Sequence, residues 1–196
     1  MTQEKKNEKI LNVPNTLTMI RALLIPVYWA VFMQGHHTWA LVIFIVASLT
    51  DLADGYIARK YDLITDFGKL MDPFADKLMV LSVMLSLALE GMAPWPALAI
   101  ILLKELLMVL GGIILYNKGV VVYAIWIGKI AQATMVAGLI LCFFHEQFMQ
   151  LGVPVHWIVL WCAVALTLTA LVIYGRSAIE KYKAADAPQA EDAPEK

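Results

Sequence analysis

Four aspartates stand out in this sequence because their spacing arranges them in two pairs. Asp51 and Asp54 are three positions apart, and Asp72 and Asp76 are four positions apart. Residues at these separations share one face of an α-helix, so each pair would point two carboxylates in the same direction. Acidic residues are costly to bury within an apolar segment, and their presence there indicates a functional site.

The two pairs are expected to meet because they flank a short connection between two apolar stretches. Asp51 and Asp54 lie near the end of one stretch, and Asp72 and Asp76 lie near the start of the next. Helices joined in this way form a hairpin, and the helix ends next to the connection lie level with each other. The pattern therefore predicts four carboxylates around one point.

Positive charge must balance these carboxylates, since like charges repel strongly in a medium of low dielectric constant. Oxygen ligands without cysteine or a convergent histidine favour a hard cation, Mg²⁺ or Mn²⁺. Four acids suit two such cations better than one, and two cations together can clamp phosphate oxygens during phosphoryl transfer. The alternative is a set of solvated charges at a membrane interface, which would not need to share helix faces.

The remainder of the chain has the composition of an integral membrane protein. Of its 196 residues, 61% are hydrophobic and 16% are charged, and the mean hydropathy is +0.72. These values lie outside the range of soluble domains. A net charge of −1 gives no indication of a nucleic-acid partner, and the two cysteines both fall in apolar runs, which does not support a disulfide framework.

Six apolar stretches of about 17 to 23 residues are long enough to cross a bilayer as helices. We predict an all-α fold with six transmembrane helices, preceded by a short interfacial helix within residues 1–12. Residues 1–183 would form one membrane domain, and residues 184–196, rich in Ala, Pro, Asp and Glu, a disordered cytosolic tail. The predicted spans are Thr16–Met33, Thr38–Arg59, Phe67–Leu89, Ala97–Tyr116, Gly128–Phe144 and Val155–Tyr174.

The basic residues predict the orientation. The loops near residues 34–37, 90–96 and 145–154 contain no Lys or Arg, so every loop-borne basic residue lies on the opposite side. The positive-inside rule then places both termini and the acidic cluster on the cytosolic side of the cytoplasmic (inner) membrane. The basic residues that lie on this side, in the loops, in the termini or at the ends of the spans, are Lys5, Lys6, Lys9, Arg59, Lys60, Lys69, Lys118, Arg176, Lys181, Lys183 and Lys196.

The acidic segment resembles the signature of the CDP-alcohol phosphatidyltransferase family. It matches that signature at every fixed position of the string Asp51-x2-Asp54-Gly55-x2-Ala58-Arg59-x8-Gly68-x3-Asp72-x3-Asp76. The six-helix plan and the opening residues are similar to bacterial members that make phosphatidylglycerophosphate. That opening reads Val13-Pro14-Asn15-Thr16-Leu17-Thr18-x2-Arg21.

This resemblance implies an activity and its components. A phosphatidyl group would pass from CDP-diacylglycerol to glycerol 3-phosphate with release of CMP, in a homodimer embedded among membrane lipids and using two divalent cations. Asp51, Asp54 and Asp72 would hold the metals together with the diphosphate. Asp76 would complete the metal shell or act as the general base, since the acceptor hydroxyl must lose a proton to some carboxylate.

The same resemblance assigns binding of the CDP-lipid to Asp51, Gly55, Ala58, Arg59 and Gly68. The two glycines lack side chains that would block a nucleotide, and Arg59 can donate to phosphate. Ordinary helix packing remains the alternative for the glycines, and a positive-inside anchor remains the alternative for Arg59.

Lys104, Lys129 and Arg21 are the candidate ligands of the acceptor phosphate. Family members that use glycerol 3-phosphate commonly carry Arg-Glu followed seven residues later by Arg, and a Gly-Lys-x-Lys-Thr string. This chain has Lys104-Glu105 and Gly128-Lys129 but lacks the other cations of both patterns. Glu105 projects about 100° away from Lys104 around the helix, so we expect it to be a poor partner for that lysine.

Three alternative functions remain open. Because this chain has fewer cationic residues than the family patterns, phosphatidylglycerol is an alternative acceptor, and the chain would then be a cardiolipin synthase of the same family. A membrane prenyltransferase also uses Mg²⁺ and a lipid diphosphate, but it needs more helices than this chain supplies and lacks the Gly-x2-Ala-Arg string. A divalent-cation transporter should carry acids at several depths, whereas here the motif acids cluster at one end, with only Glu105 elsewhere in the predicted spans.

Overall fold

A computed structural model of the chain describes residues 12–61, 65–117 and 126–186, which form helices and no strand. The all-α prediction is therefore confirmed for this part of the chain. In these ranges the helices are α1 (Val13–Met33), α2 (His37–Lys60), α3 (Asp66–Leu89), α4 (Trp95–Asn117), α5 (Trp126–Cys142), α6 (His145–Gln150) and α7 (Val155–Asp186).

Four of these helices, α1, α2, α4 and α7, are long and apolar enough to cross a membrane. The third helix has the length but carries the charges of the acidic segment, and α5 is apolar but has 17 residues. The six long helices coincide with the six predicted spans, while the number of crossings stays a prediction. The predicted interfacial helix lies outside the described residues except for Asn12. Helix α7 continues to Asp186 and so includes residues 184–186, where the prediction had a disordered tail; residues 187–196 lie outside the described part of the chain.

Side-chain caps set where the two helices nearest the acidic cluster begin. The side chain of Asn12 accepts a 2.8 Å hydrogen bond from the backbone N–H of Asn15 at the start of α1, where Pro14 occupies the first turn. The hydroxyl of Thr65 accepts a 3.0 Å hydrogen bond from the backbone N–H of Gly68 at the start of α3. Both caps fix the register of site residues that follow within one or two turns.

The hydrophobic core is concentrated in one half of the bundle. Its fully buried members include Tyr28 on α1, Phe44 on α2, Val83 on α3, Leu139 on α5 and Leu160 on α7. These residues lie towards the end of the bundle that carries the α1–α2 and α3–α4 turns. The acidic pairs lie at the other end, where α1 packs against both α2 and α3 and where the helices leave space between them.

Candidate functional site

A cavity of about 790 Å³ opens at the end of the bundle away from the core. Asp51, Asp54, Asp72 and Asp76 all line it, so the four acids share one cavity. The rest of the wall comes from further residues of α2 and α3 and from α4, α5 and α7. Of the other predicted site residues, it includes Gly55, Lys104 and Lys129.

Arg21 lies behind the acids rather than among the described residues of the cavity wall. Its side chain is 1% exposed, with Nη1 2.9 Å from Oδ1 of Asp51 and Nη2 2.5 Å from Oδ2 of Asp54. Two carboxylates around one guanidinium compensate a charge that would otherwise be costly to bury. Arg21, which was predicted to bind the acceptor phosphate, thus forms ion pairs with two of the motif acids instead.

Asp72 is held by the same helix through Thr18. The Thr18 hydroxyl contacts Oδ1 of Asp72, and it also lies 3.2 Å from the backbone carbonyl of Pro14. Thr18 and Arg21 are three residues apart on α1, so one helix face meets three of the four acids. Thr18 belongs to the opening string that resembles the family, but its spacing alone predicts no role for it.

Gly68 lies where α1 and α3 approach each other closely. A Cβ at this position would lie 2.7 Å from Oδ1 of Asn15 and 3.2 Å from Oγ1 of Thr65. The Asn15 side-chain amide also donates a 2.9 Å hydrogen bond to the Thr65 hydroxyl, which locks the two helices at this point. The geometry therefore supports the packing alternative for Gly68, next to Asp72.

Two other predicted CDP-lipid residues follow Gly55 on α2. Ala58 is partly exposed, and it is not one of the described residues that line the cavity. The side chain of Arg59 lies outside the described part of the structure.

Asp76 differs from the other acids in its neighbour. Its Oδ2 accepts a 2.9 Å hydrogen bond from the side-chain amide of Gln132 on α5. Gln132 stands where the family string Gly-Lys-x-Lys-Thr would end in Thr, and it also lines the cavity. Asp76 is thus oriented by a neutral donor, in contrast to Asp51 and Asp54.

Glu105 on α4 forms ion pairs with two lysines. Nζ of Lys104 lies 2.6 Å from Oε1 of Glu105, and Nζ of Lys77 lies 2.8 Å from Oε2. The expectation that Glu105 would be a poor partner for Lys104 is wrong, because the flexible four-carbon chain of lysine reaches around the helix. Sequence reasoning missed Lys77, whose only signal is its position directly after Asp76.

Lys129 approaches the cavity from the start of α5. Its side chain is exposed, and Nζ lies 5.1 Å from the centre of the Trp126 ring, within cation–π range. This contact favours one direction for a side chain that would otherwise be mobile, and Lys129 lines the cavity.

The donor set of the cavity fits a hard divalent cation in its chemistry, because four carboxylates supply the oxygen ligands that Mg²⁺ and Mn²⁺ prefer. Within the described ranges, however, no three acidic, histidine or cysteine side chains converge closely enough to make a ready-made metal group. The carboxylates are turned towards Arg21, Thr18 and Gln132 instead. Arg21 contacts one oxygen of Asp51 and one of Asp54, so each of these carboxylates has a second oxygen that could hold a metal.

Comparison with known proteins adds a family and several relatives. The family model described as CDP-alcohol phosphatidyltransferase matches residues 11–169. A Bacillus subtilis (strain 168) protein named CDP-diacylglycerol–glycerol-3-phosphate 3-phosphatidyltransferase is 32% identical over 179 residues, covering 82% of this chain and 92% of the relative. A probable phosphatidylglycerophosphate synthase of Mycobacterium tuberculosis (strain ATCC 25618 / H37Rv) is 33% identical over 175 residues, covering 85% and 81%.

Proposed function

The chain belongs to the CDP-alcohol phosphatidyltransferase family, and on that premise we propose that it transfers a phosphatidyl group from CDP-diacylglycerol to glycerol 3-phosphate. CMP leaves, and phosphatidylglycerophosphate is the product. The observation that carries this proposal is one cavity that is lined both by the four motif carboxylates and by lysines from three helices, α3, α4 and α5. The names of the two relatives that match most of the chain support the same reaction.

Members of the family generally use divalent cations. We assign two of them, Mg²⁺ or Mn²⁺, to the carboxylates of Asp51, Asp54, Asp72 and Asp76. When bound, such cations would neutralise the diphosphate and the negative charge that develops on the departing CMP. Arg21 and Thr18 orient three of these carboxylates from behind, so that their oxygens are held at the cavity before substrate arrives.

Asp76 acts as the general base. The hydroxyl oxygen of the acceptor bonds to the lipid-side phosphorus, the bond from that phosphorus to the CMP oxygen breaks, and the hydroxyl proton passes to Asp76. The amide of Gln132 fixes the direction of this carboxylate through Oδ2. Gly55 leaves room on the wall beside Asp54 for the nucleotide.

Lys104 and Lys129 provide positive charge for the acceptor. Glycerol 3-phosphate carries a dianionic phosphate, which must be compensated when it leaves bulk water for the cavity. These two lysines come from α4 and α5 and line the same cavity as the carboxylates, so the acceptor would lie next to both.

The setting that we propose is the cytoplasmic membrane, crossed six times, with both termini and the cavity on the cytosolic side. Its support is the one-sided distribution of Lys and Arg among the loops. We also propose a homodimer, as the family resemblance implies. Size-exclusion chromatography with light scattering in detergent, corrected for bound detergent, would give twice the 21.8 kDa chain mass for a dimer.

A second candidate is cardiolipin synthesis, with phosphatidylglycerol as acceptor. An apolar groove of about 410 Å³ between α4 and α7 favours it, because this groove shares Met108, Leu171 and Tyr174 with the cavity. An apolar groove next to the reaction cavity suits the acyl chain of a lipid acceptor better than a water-soluble one.

Product analysis tests both candidates. Detergent-purified protein is given CDP-diacylglycerol with either glycerol 3-phosphate or phosphatidylglycerol, and CMP and lipids are identified by mass spectrometry. We expect phosphatidylglycerophosphate from the first mixture. Cardiolipin from the second, with no product from the first, would reject glycerol 3-phosphate as acceptor, and absence of CMP from every mixture would reject the reaction class in favour of a non-enzymatic role such as cation transport.

A further inference from the structure

Glu105 on α4 joins two lysines that come from different helices. Lys77 on α3 places Nζ 2.8 Å from Oε2, and Lys104 places Nζ 2.6 Å from Oε1. The side chains of Glu105 and Lys104 are each 17% exposed and that of Lys77 is 38% exposed, so the cluster is largely buried at Glu105 and Lys104, where charged groups need partners, and more open at Lys77. The chemistry assigned above to the four aspartates uses neither Lys77 nor Glu105.

The cluster has an excess of positive charge that faces the cavity. Two ammonium groups meet one carboxylate, which leaves one positive charge uncompensated within the cluster. Lys77 and Lys104 line the cavity, whereas Glu105 is not among its described lining residues, so the carboxylate lies behind the two ammonium groups. Each ammonium carries three N–H donors; Lys104 donates one of them to Glu105, and Lys77 forms an ion pair with Glu105, so both keep donors for an anion.

The position of Lys77 relates this charge to the reacting centre. It follows Asp76 directly on α3, and both side chains line the cavity. Consecutive helical residues diverge by about 100°, so the proposed base and the lysine point to neighbouring parts of one wall. An acceptor whose hydroxyl meets Asp76 would bring an anionic group to Lys77 if only a few atoms separate the two.

We propose that Lys77 and Lys104 together form the subsite for the acceptor phosphate, and that Glu105 is the positioning residue that holds their ammonium groups side by side. The ligand class is a phosphate monoester dianion on a short polyol. This inference rests on the proposed function and deepens it, since it adds Lys77 to the binding residues and explains why a carboxylate accompanies them. A fixed pair of ammonium groups loses less side-chain entropy on binding than two free lysines would.

The first test measures steady-state kinetics of Lys77→Gln with each substrate varied in turn. We expect the KM for glycerol 3-phosphate to rise roughly tenfold or more, because a charged hydrogen bond to phosphate is lost. The KM for CDP-diacylglycerol and kcat at saturation should stay within about twofold of the original. Lys77→Arg retains the charge and should recover most of the loss.

Glu105 is tested with Glu105→Gln, which keeps the size of the side chain but removes the charge that anchors both lysines. A positioning role predicts a higher KM for glycerol 3-phosphate with kcat little changed. If Glu105 only competed with the substrate for the lysines, the same variant would show a lower KM. An unchanged or lowered KM would overturn the positioning role.

Inorganic phosphate serves as a probe of the same subsite. Lys77→Gln should weaken the competitive inhibition that inorganic phosphate exerts against glycerol 3-phosphate. Lys60→Gln is the matched control, because Lys60 is exposed at the end of α2, with Nζ 5.5 Å from the centre of the Tyr56 ring and away from the described cavity wall.

The unaltered protein separates failure of the inference from failure of the proposed function. If it turns over glycerol 3-phosphate while Lys77→Gln keeps the original KM, Lys77 is not a phosphate ligand and only the inference falls. If the unaltered protein does not use glycerol 3-phosphate at all, the proposed function and the inference built on it both fall. Binding of CDP-diacylglycerol by the variants, measured from thermal shifts in detergent, verifies that they are folded.

Discussion

Arg21 and Asp54 form a buried ion pair between α1 and α2, with Nη2 and Oδ2 2.5 Å apart and side chains 1% and 3% exposed. The other terminal nitrogen of Arg21 lies 2.9 Å from Asp51, and Thr18 on the same helix contacts Asp72. The first helix thus holds three of the four motif acids without contributing to the described cavity wall.

Arg21→Met should destabilise the protein by about 3 kcal/mol or more, because it leaves the buried Asp54 without its positive partner. Activity should fall with both substrates rather than with glycerol 3-phosphate alone. Thermal unfolding in detergent and separate KM values for the two substrates test this. A stable variant with a raised KM only for glycerol 3-phosphate would instead restore Arg21 as an acceptor ligand.

Replacing Asp51, Asp54 or Asp72 by Asn should lower kcat/KM by roughly two orders of magnitude or more and weaken the dependence on added Mg²⁺ or Mn²⁺. Neutral amides are weaker ligands for hard cations than carboxylates are. Activity is measured as CMP release over a metal titration. Glu180→Gln, at an exposed position on α7, is the control and should behave like the unaltered protein.

Asp76→Asn should abolish turnover with a smaller loss of CDP-diacylglycerol binding. The substituted amide would keep an oxygen to accept from Gln132, whose side-chain nitrogen now lies 2.9 Å from Oδ2, but it cannot take a proton. Binding is measured by thermal shift and turnover by CMP release. Near-normal turnover would remove Asp76 from the role of base.

Gly68→Ala should destabilise the protein by about 1–3 kcal/mol through overpacking between α1 and α3. The added Cβ would lie 2.7 Å from Oδ1 of Asn15, so the hydrogen-bonded contact of Asn15 with Thr65 between the two helices must shift. Gly112→Ala is the matched control in a helix, since a Cβ there meets nothing within 4 Å. Equal melting temperatures for the two variants would contradict a packing role for Gly68.

Orientation is tested by cysteine labelling at the two ends of α2. In a background with Cys142 and Cys162 replaced by Ala, single cysteines are placed at the exposed positions His36 and Tyr61. We expect an impermeant thiol reagent to label intact cells at position 36 and to label position 61 only after lysis. Labelling of position 61 from outside would place the cavity on the opposite face.

Several features of the site follow from local rules and are predictable from the sequence. The spacing of Asp51 with Asp54 and of Asp72 with Asp76 puts each pair on one helix face because the helical period is 3.6 residues. Their convergence follows because the short connection between two apolar stretches leaves a hairpin as the simplest arrangement. The all-helical class follows from stretches of bilayer length.

The sequence alone thus predicts the helical class and the placement of the four acids in one region, and it carries the resemblance to a phosphatidyltransferase signature. Which neighbours hold the acids depends on the tertiary structure, because those contacts join residues far apart in the chain. Arg21 and Asp54 are separated by 33 residues, and Gln132 and Asp76 by 56. No local period relates such positions; the packing of α1 and α5 against the hairpin brings them within hydrogen-bonding distance, and the packing of α4 against α3 brings Glu105 to Lys77.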